Sequence, residues 1–187
     1  PSHHVEATLF MIPKRVSPSR EFTINKGMLP GLKFKCLAQN PILSINSNSI
    51  IGKIDIIRAH VHTYQPDLVA ISETKIDSKF DDNELLGDGY TIWRKDRKHG
   101  GGGVLIALSN TSNLSVLQSN EGPGESLALL LQIHPTLKFR VVVMYRPPNE
   151  YDLENFENLI DEYKLDNCIF VGDYNFPDLD WITVREQ

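Results

Sequence analysis

The chain has 187 residues, 41% hydrophobic and 23% charged, with a formal net charge of −5. That is material for one sizeable core and too little for two, and it is too apolar and too weakly charged for a disordered chain. The longest uninterrupted apolar runs, such as Leu127–Leu131, fall far short of the roughly 20 residues of a membrane-spanning helix.

Residues 1–30 show no clean period, and with Pro13, Pro18, Pro30 and several serines they read as a linker or upstream extension. Residues 1–32 are therefore set apart from a folded domain over 33–187. Within it, Ile42–Ile45 is strand-like and runs into the polar cluster Asn46–Ser49. Ile50, Ile54, Ile57, Val61 and Tyr64 recur at helical spacing, predicting an amphipathic helix capped by Ser49 and ended by Pro66. Leu68–Ile71 is apolar without alternation, the pattern of a strand buried between layers. Tyr90–Arg94 and Val104–Leu108 are strand-like segments around Gly100–Gly103, and Leu127–Ile133 and Phe139–Tyr145 read as a hairpin turning at His134-Pro-Thr136. Leu153, Phe156, Ile160 and Tyr163 mark a second amphipathic helix, and Cys168–Val171 a last buried strand. Helices alternating with buried strands around a central antiparallel stretch predict a layered α/β sandwich. Cys36 and Cys168 form neither a metal cluster nor a disulfide framework, so a reducing, intracellular compartment is expected.

Charge is uneven: residues 1–100 carry 14 Lys/Arg and 11 Asp/Glu, a net of +3, and the remainder carries 5 and 13, a net of −8. No large basic field advertises nucleic-acid binding, so any DNA contact must be local. The chemistry-bearing residues stand out by position. Asn46, Glu73, Tyr145, Asp173 and Asn175 each follow or close a buried apolar strand, where α/β folds collect their sites. A single Asn or Asp there is more often a turn former. A set of carboxylates, amides and a phenol suits phosphodiester hydrolysis: carboxylates for a hard cation such as Mg²⁺ or Mn²⁺, neutral donors for the developing charge, and a base for water.

Asn46-Ser-Asn-Ser-Ile-Ile-Gly-Lys53, Gln65-Pro-Asp-Leu-Val-Ala-Ile-Ser-Glu-Thr74, Gly89-Tyr90 with Arg94-Lys-Asp-Arg97, Gly101-Gly-Gly-Val104, Val143-Met-Tyr-Arg-Pro-Pro-Asn149 and Val171-Gly-Asp-Tyr-Asn-Phe-Pro-Asp-Leu-Asp-Trp181 occur in that order. Together they resemble the apurinic-endonuclease-like endonuclease domain of non-LTR (LINE-type) retrotransposons, within the endonuclease/exonuclease/phosphatase superfamily. The resemblance implies an α/β sandwich of two mixed sheets flanked by helices. It implies a Mg²⁺-dependent endonuclease that nicks double-stranded DNA in the nucleus, leaving a 3′-hydroxyl for a reverse transcriptase in the same polyprotein. By the same resemblance Glu73 holds the metal, Asn46 contacts the metal or the scissile phosphate, and Tyr145 donates to a phosphate oxygen. Asp173 handles the attacking water or the leaving group, supported by Asn175. Asn40 competes with Asn46, which is preferred for its spacing to Lys53. Arg94, Lys95, Arg97 and Lys98, with Arg146, are the candidate DNA contacts, although a solvated hairpin tip explains the basic run as well.

The family closes with a further Asp and a Ser-Asp-His motif that this sequence does not contain. Of the six histidines, His3 and His4 read as solvated polar residues. His60 and His62 lie two apart on a helix, His99 sits beside glycines and His134 precedes a proline, so none replaces the motif's histidine. The chain thus reads as a fragment without its last strands, expected to be poorly soluble and weakly active. Two other readings are a phosphatase or phosphodiesterase of the same superfamily and a non-catalytic remnant.

Overall fold

The computed structural model describes residues 6–12, 39–97, 101–148, 154–163 and 167–175. In chain order its elements are β1 (Glu6–Ile12), β2 (Gln39–Asn46), α1 (Ile54–Tyr64), β3 (Leu68–Ser72), α2 (Asn83–Leu86), β4 (Tyr90–Lys95), β5 (Val104–Ser109), β6 (Ser115–Glu121), β7 (Glu125–His134), β8 (Leu137–Tyr145), α3 (Glu154–Tyr163) and β9 (Cys168–Asp173).

Strand β3 is buried at every position and β5 at all but its last. A strand hides both faces only when layers cover its sheet on both sides, which is why these segments carry no polar alternation. One face of the first sheet, with Ile42, Leu68, Ala70, Val104 and Ile106, meets Leu127, Leu129, Leu131, Val141 and Val143 of the second. The other face, with Leu43, Ile45, Val69, Ile71 and Leu105, is covered by Ile57 of α1 and Leu85 of α2. On the outer face of the second sheet, Ala128, Val142 and Met144 lie under Leu159 and Tyr163 of α3. The result is the predicted layered α/β sandwich.

The first sheet has the order β1-β2-β3-β5-β4 and the second β6-β7-β8-β9. Both are mixed. β2 runs parallel to β3 and β8 parallel to β9, while the other neighbours are antiparallel. Each parallel pair brings two strand ends to one edge.

Five details differ from expectation. Glu6–Ile12, read as belonging to a linker, pairs antiparallel with β2 across its length. Strand β6, SVLQSNE, is not predicted by its pattern: it lies at a sheet edge, largely exposed, and lacks an apolar face. Ser49 does not cap α1. Gly52 at φ 78° breaks any helix before it, the N-cap is Lys53, and the Ser49 N–H donates instead to the Glu73 carbonyl at 2.8 Å. Ile50 is buried as a loop residue, not as a member of the helical face. On α3, Ile160 is 41% exposed while Leu159 is fully buried, so the apolar stripe runs through Leu159 and Tyr163.

Candidate active site

Asn46 ends β2 in register with Ser72, so Glu73 is the first residue beyond that paired edge. Tyr145 ends β8 in register with Asp173, the last residue of β9. Because the two sheets pack face to face, these two edges converge. The Asn46 side-chain amide donates to Glu73 Oε1 at 3.1 Å and to Asp173 Oδ2 at 2.7 Å. Its Oδ1 accepts the Asn48 backbone N–H at 3.0 Å. A flipped amide would turn an oxygen toward two carboxylates, so the network fixes its orientation. One NH₂ group thus ties a carboxylate of the first sheet to a carboxylate of the second. Asn40 lies near the start of β2, six residues and roughly 20 Å from this edge, so Asn46 and not Asn40 stands at the cluster.

Glu73 sits in the left-handed region at φ 54°, which is unfavourable for a residue with a Cβ by roughly 1–3 kcal/mol. Its surroundings hold it there. The Ser49 N–H and the Ser47 hydroxyl both donate to the Glu73 carbonyl at 2.8 Å. The following amides, Thr74 and Lys75, donate to the carbonyls of Gly103 at 3.2 Å and Gly102 at 2.8 Å. Lys75 Nζ pairs with Glu73 Oε2 at 3.2 Å and also donates to Asn48 Oδ1. The glycine run therefore braces the Glu73 loop, a role that its sequence does not reveal.

Asp173 Oδ1 accepts the Asn175 N–H at 3.2 Å, and Asn175 adopts φ 45°. The Asn175 side-chain amide donates to the Arg146 carbonyl at 2.7 Å, and Arg146 Nη1 returns a bond to the Asn175 carbonyl at 2.7 Å. Arg146, a candidate DNA contact, is only 7% exposed and clamps the turn after Asp173. Asn175 supports that same turn from beside the carboxylate cluster.

Within the basic run, Arg94 and Lys95 are likewise taken up by protein groups. Arg94 pairs with Asp82 at 3.0 Å and Asp96 at 3.3 Å and donates to the Phe80 carbonyl at 2.9 Å. Lys95 Nζ donates to the carbonyls of Gly122 at 2.6 Å and Gly124 at 2.7 Å. Arg97 Nη1 pairs with Glu125 at 3.1 Å but keeps half of its side chain in solvent. Of this predicted DNA-tracking patch, Arg94 and Lys95 are held by protein groups, and Lys98 lies outside the described residues. His134 pairs with Leu137 at the far end of the hairpin, about 27 Å along β8 from Tyr145. His60 and His62 belong to α1, and His3, His4 and His99 lie outside the described residues.

Tyr145 is buried, and its pKa is raised first by that burial and then by Glu73, Asp173 and Glu125, against a lowering by Arg97. It is a protonated donor at neutral pH. Burial also raises Tyr90 and Tyr174, and pushes Tyr163 up to about 12. The folded state therefore holds these protons more tightly than the unfolded chain. That stability is complete below about pH 10, the ordinary tyrosine value, and is lost as pH rises through the folded values. Ultraviolet titration of the folded protein should show tyrosinate forming later than in urea, with unfolding following it above pH 10. Coincident titration curves in the two states would contradict the buried placement of these phenols.

Among the described residues no three His, Cys, Asp or Glu side chains converge on one point. The donor set is two carboxylates around an amide. This does not suit zinc, but it fits Mg²⁺ or Mn²⁺, which take one or two carboxylate oxygens and keep several waters.

The model of the endonuclease/exonuclease/phosphatase family matches residues 43–187. The chain belongs to the endonuclease/exonuclease/phosphatase family. Its fold is similar to that of solved structures at low sequence identity. An AP endonuclease from Archaeoglobus fulgidus is 19% identical with a TM-score of 0.52, over 72% of this chain and 57% of that one. The 3′ phosphatase NExo from Neisseria, bound to a product DNA hairpin, is 20% identical with a TM-score of 0.56, over 72% and 57%. The endonuclease domain of TRAS1, a telomere-specific non-LTR retrotransposon, is 17% identical with a TM-score of 0.54, over 72% and 59%. This family chain thus spans less than 60% of the length of each of the three. No curated protein matches it in sequence. Among the described residues, no helix is long and apolar enough to cross a membrane.

Proposed function

We propose that this member of the family is the endonuclease domain of a non-LTR retrotransposon polyprotein, cutting one strand of double-stranded DNA with the help of Mg²⁺ or Mn²⁺. The reading rests on one observation above others: the Asn46 amide draws Glu73 and Asp173 together from two different sheets, with Tyr145 in register beside Asp173. The retrotransposon branch is favoured by the segments Tyr145-Arg-Pro-Pro-Asn149 and Gly172–Trp181, and the similar fold of the TRAS1 domain is consistent with it.

Glu73 would hold the cation, with Asn46 beside it and Asp173 across the amide. When bound, the cation supplies charge stabilisation at the scissile phosphate. Asn46 keeps the two carboxylates at a fixed separation, with both amide hydrogens engaged on Glu73 and Asp173. Tyr145, kept protonated, donates a hydrogen bond where negative charge develops. Asp173, whose carboxylate is fixed by the Asn46 amide and the Asn175 N–H, orients a water for in-line attack and accepts its proton. As the P–O3′ bond breaks, the leaving oxygen takes a proton from solvent to become a 3′-hydroxyl, which a reverse transcriptase in the same polyprotein would extend in the nucleus.

The test is nicking of supercoiled plasmid with Mg²⁺. It uses this chain and the same chain supplied with the Ser-Asp-His segment that the resemblance calls for. Metal-dependent nicks that a polymerase can extend are expected, weak in the first and strong in the second. Glu73→Gln keeps the side-chain shape and the left-handed backbone and should lower the rate by about 10²–10³-fold. Folded protein that leaves the plasmid supercoiled in both forms would rule out the nuclease reading.

A further inference from the structure

Glu125 opens β7, outside the carboxylate cluster, and none of the roles above uses it. Its Oε2 accepts the Gly103 backbone N–H, and its Oε1 pairs with Arg97 Nη1 at 3.1 Å. Gly102, at φ 63°, lies so close that a Cβ there would overlap the Glu125 carboxylate. The same two glycines receive the Lys75 and Thr74 amides, the first two residues after Glu73. A methyl group on Gly103 would strike the Thr74 hydroxyl, so this contact needs glycine on one side and a short side chain on the other. On the second sheet, Glu125 is the register partner of Tyr145, which is the register partner of Asp173. Lys95 pins the carbonyls of Gly122 and Gly124 immediately before it.

Resting on the nuclease reading for its catalytic consequence, we infer that Glu125 is a positioning residue: its carboxylate, through Gly102 and Gly103, sets the Glu73 loop against the Tyr145–Asp173 edge. The charge-assisted bond to the Gly103 N–H is the sole described side-chain link from the glycine loop to the second sheet at this row. The Thr74 and Lys75 amides depend on that loop staying in place. The basic residues Lys95 and Arg97 then serve the same joint, one on the carbonyls before Glu125 and one on its free oxygen.

The test is hydrogen exchange at the Thr74 and Lys75 amides in the whole chain, alongside nicking and Mn²⁺ binding followed by water-proton relaxation. In Glu125→Ala these two amides should exchange about tenfold faster, the scale of one lost charge-assisted hydrogen bond, while amides in the centre of β8 stay protected. Mn²⁺ affinity should fall about tenfold, as for other residues that hold a metal ligand in place. Nicking should fall in kcat with the plasmid KM unchanged. Glu125→Gln retains an acceptor for Gly103 and should recover the exchange pattern and most of the rate. Glu125→Asp keeps the charge but is one methylene short, so it should behave like Ala and serves if Ala fails to fold. Unchanged exchange at Thr74 and Lys75 in folded Glu125→Ala or Glu125→Asp would overturn the inference, as would a Gln variant no better than Ala. Faster exchange with unaltered nicking and Mn²⁺ affinity would overturn it too. If the unsubstituted protein neither nicks nor binds Mn²⁺, the nuclease reading fails, and the exchange comparison still decides whether Glu125 holds the loop.

Discussion

Gly172→Ala is expected to destabilise the protein by roughly 2–6 kcal/mol, the sum of about 1–3 for backbone strain and about 1–3 for steric overlap. Gly172 sits inside β9 at φ 128°, a conformation that residues with a Cβ adopt at a cost. An added methyl would land on the carbonyl of Met144, its partner in the parallel β8–β9 pairing. Neither atom can retreat: Met144 belongs to a strand paired on both sides, and its side chain is buried under α3. The strands would have to separate just before Tyr145 and Asp173. A loss of this size is a large share of the 5–15 kcal/mol that hold a domain together. Urea unfolding followed by circular dichroism measures it. Gly89→Ala is the matched control, since nothing lies within 4 Å of its Cβ position and its φ is ordinary. That variant should be neutral or slightly stabilising. A Gly172→Ala protein as stable as wild type would mean that β8 and β9 do not pair in this register, and the placement of Asp173 beside Tyr145 would go with it.

That pairing shows which features a sequence can disclose. Leu68–Ile71, Val104–Leu108 and Cys168–Val171 announce themselves as strands because layers on both sides demand apolar residues at every position. Asn46, Glu73, Tyr145 and Asp173 stand out because each breaks such a run at its end. Their convergence needs two sheets to pack across more than 100 residues of intervening chain, and no local pattern encodes the Asn46 bridge. The amphipathic helices are legible only to within a turn. Leu159 and Ile160 are adjacent apolar residues, and only packing against Met144 and Val142 selects the first. The partners of Arg94 and Lys95 are hidden for a related reason. Charge in a sequence carries no sign of the carbonyls and carboxylates that take it up, such as Gly122, Gly124 and Asp82. Edge strand β6 is largely exposed, and its one inward hydrophobic residue, Val116, is too little to produce a period.

Asn46→Asp is the substitution that should most disturb the chemistry while changing the fewest atoms. It replaces the NH₂ group that bonds Glu73 and Asp173 with an oxygen, leaving three carboxylates where hydrogen bonds of 3.1 and 2.7 Å had been. Like charges at such separations cannot all remain ionised, so one carboxyl of the trio will bind a proton well above its ordinary range. A raised folded pKa contributes stability only below the ordinary carboxyl value, and that contribution is lost as pH rises through the raised one. Relative to wild type, Asn46→Asp should therefore be well tolerated in acid and destabilised by about 1–3 kcal/mol at neutral pH. Under the proposed function, a divalent cation between the carboxylates offsets the repulsion, so Mg²⁺ should raise the melting temperature of this variant more than that of wild type. Activity should not follow stability. With the amide gone, Glu73 and Asp173 lose the donor that sets their spacing, and nicking should fall by about 10²–10³-fold even when Mg²⁺ is saturating. Asn46→Ala separates the two effects, since it removes the donor without adding charge: its rate should fall as far, with a smaller response to pH and Mg²⁺. Thermal melts at acid and neutral pH, with and without Mg²⁺, read the first effect, and plasmid nicking reads the second. An Asn46→Asp protein with wild-type stability at neutral pH and no added response to Mg²⁺ would show that Asn46 does not stand between Glu73 and Asp173.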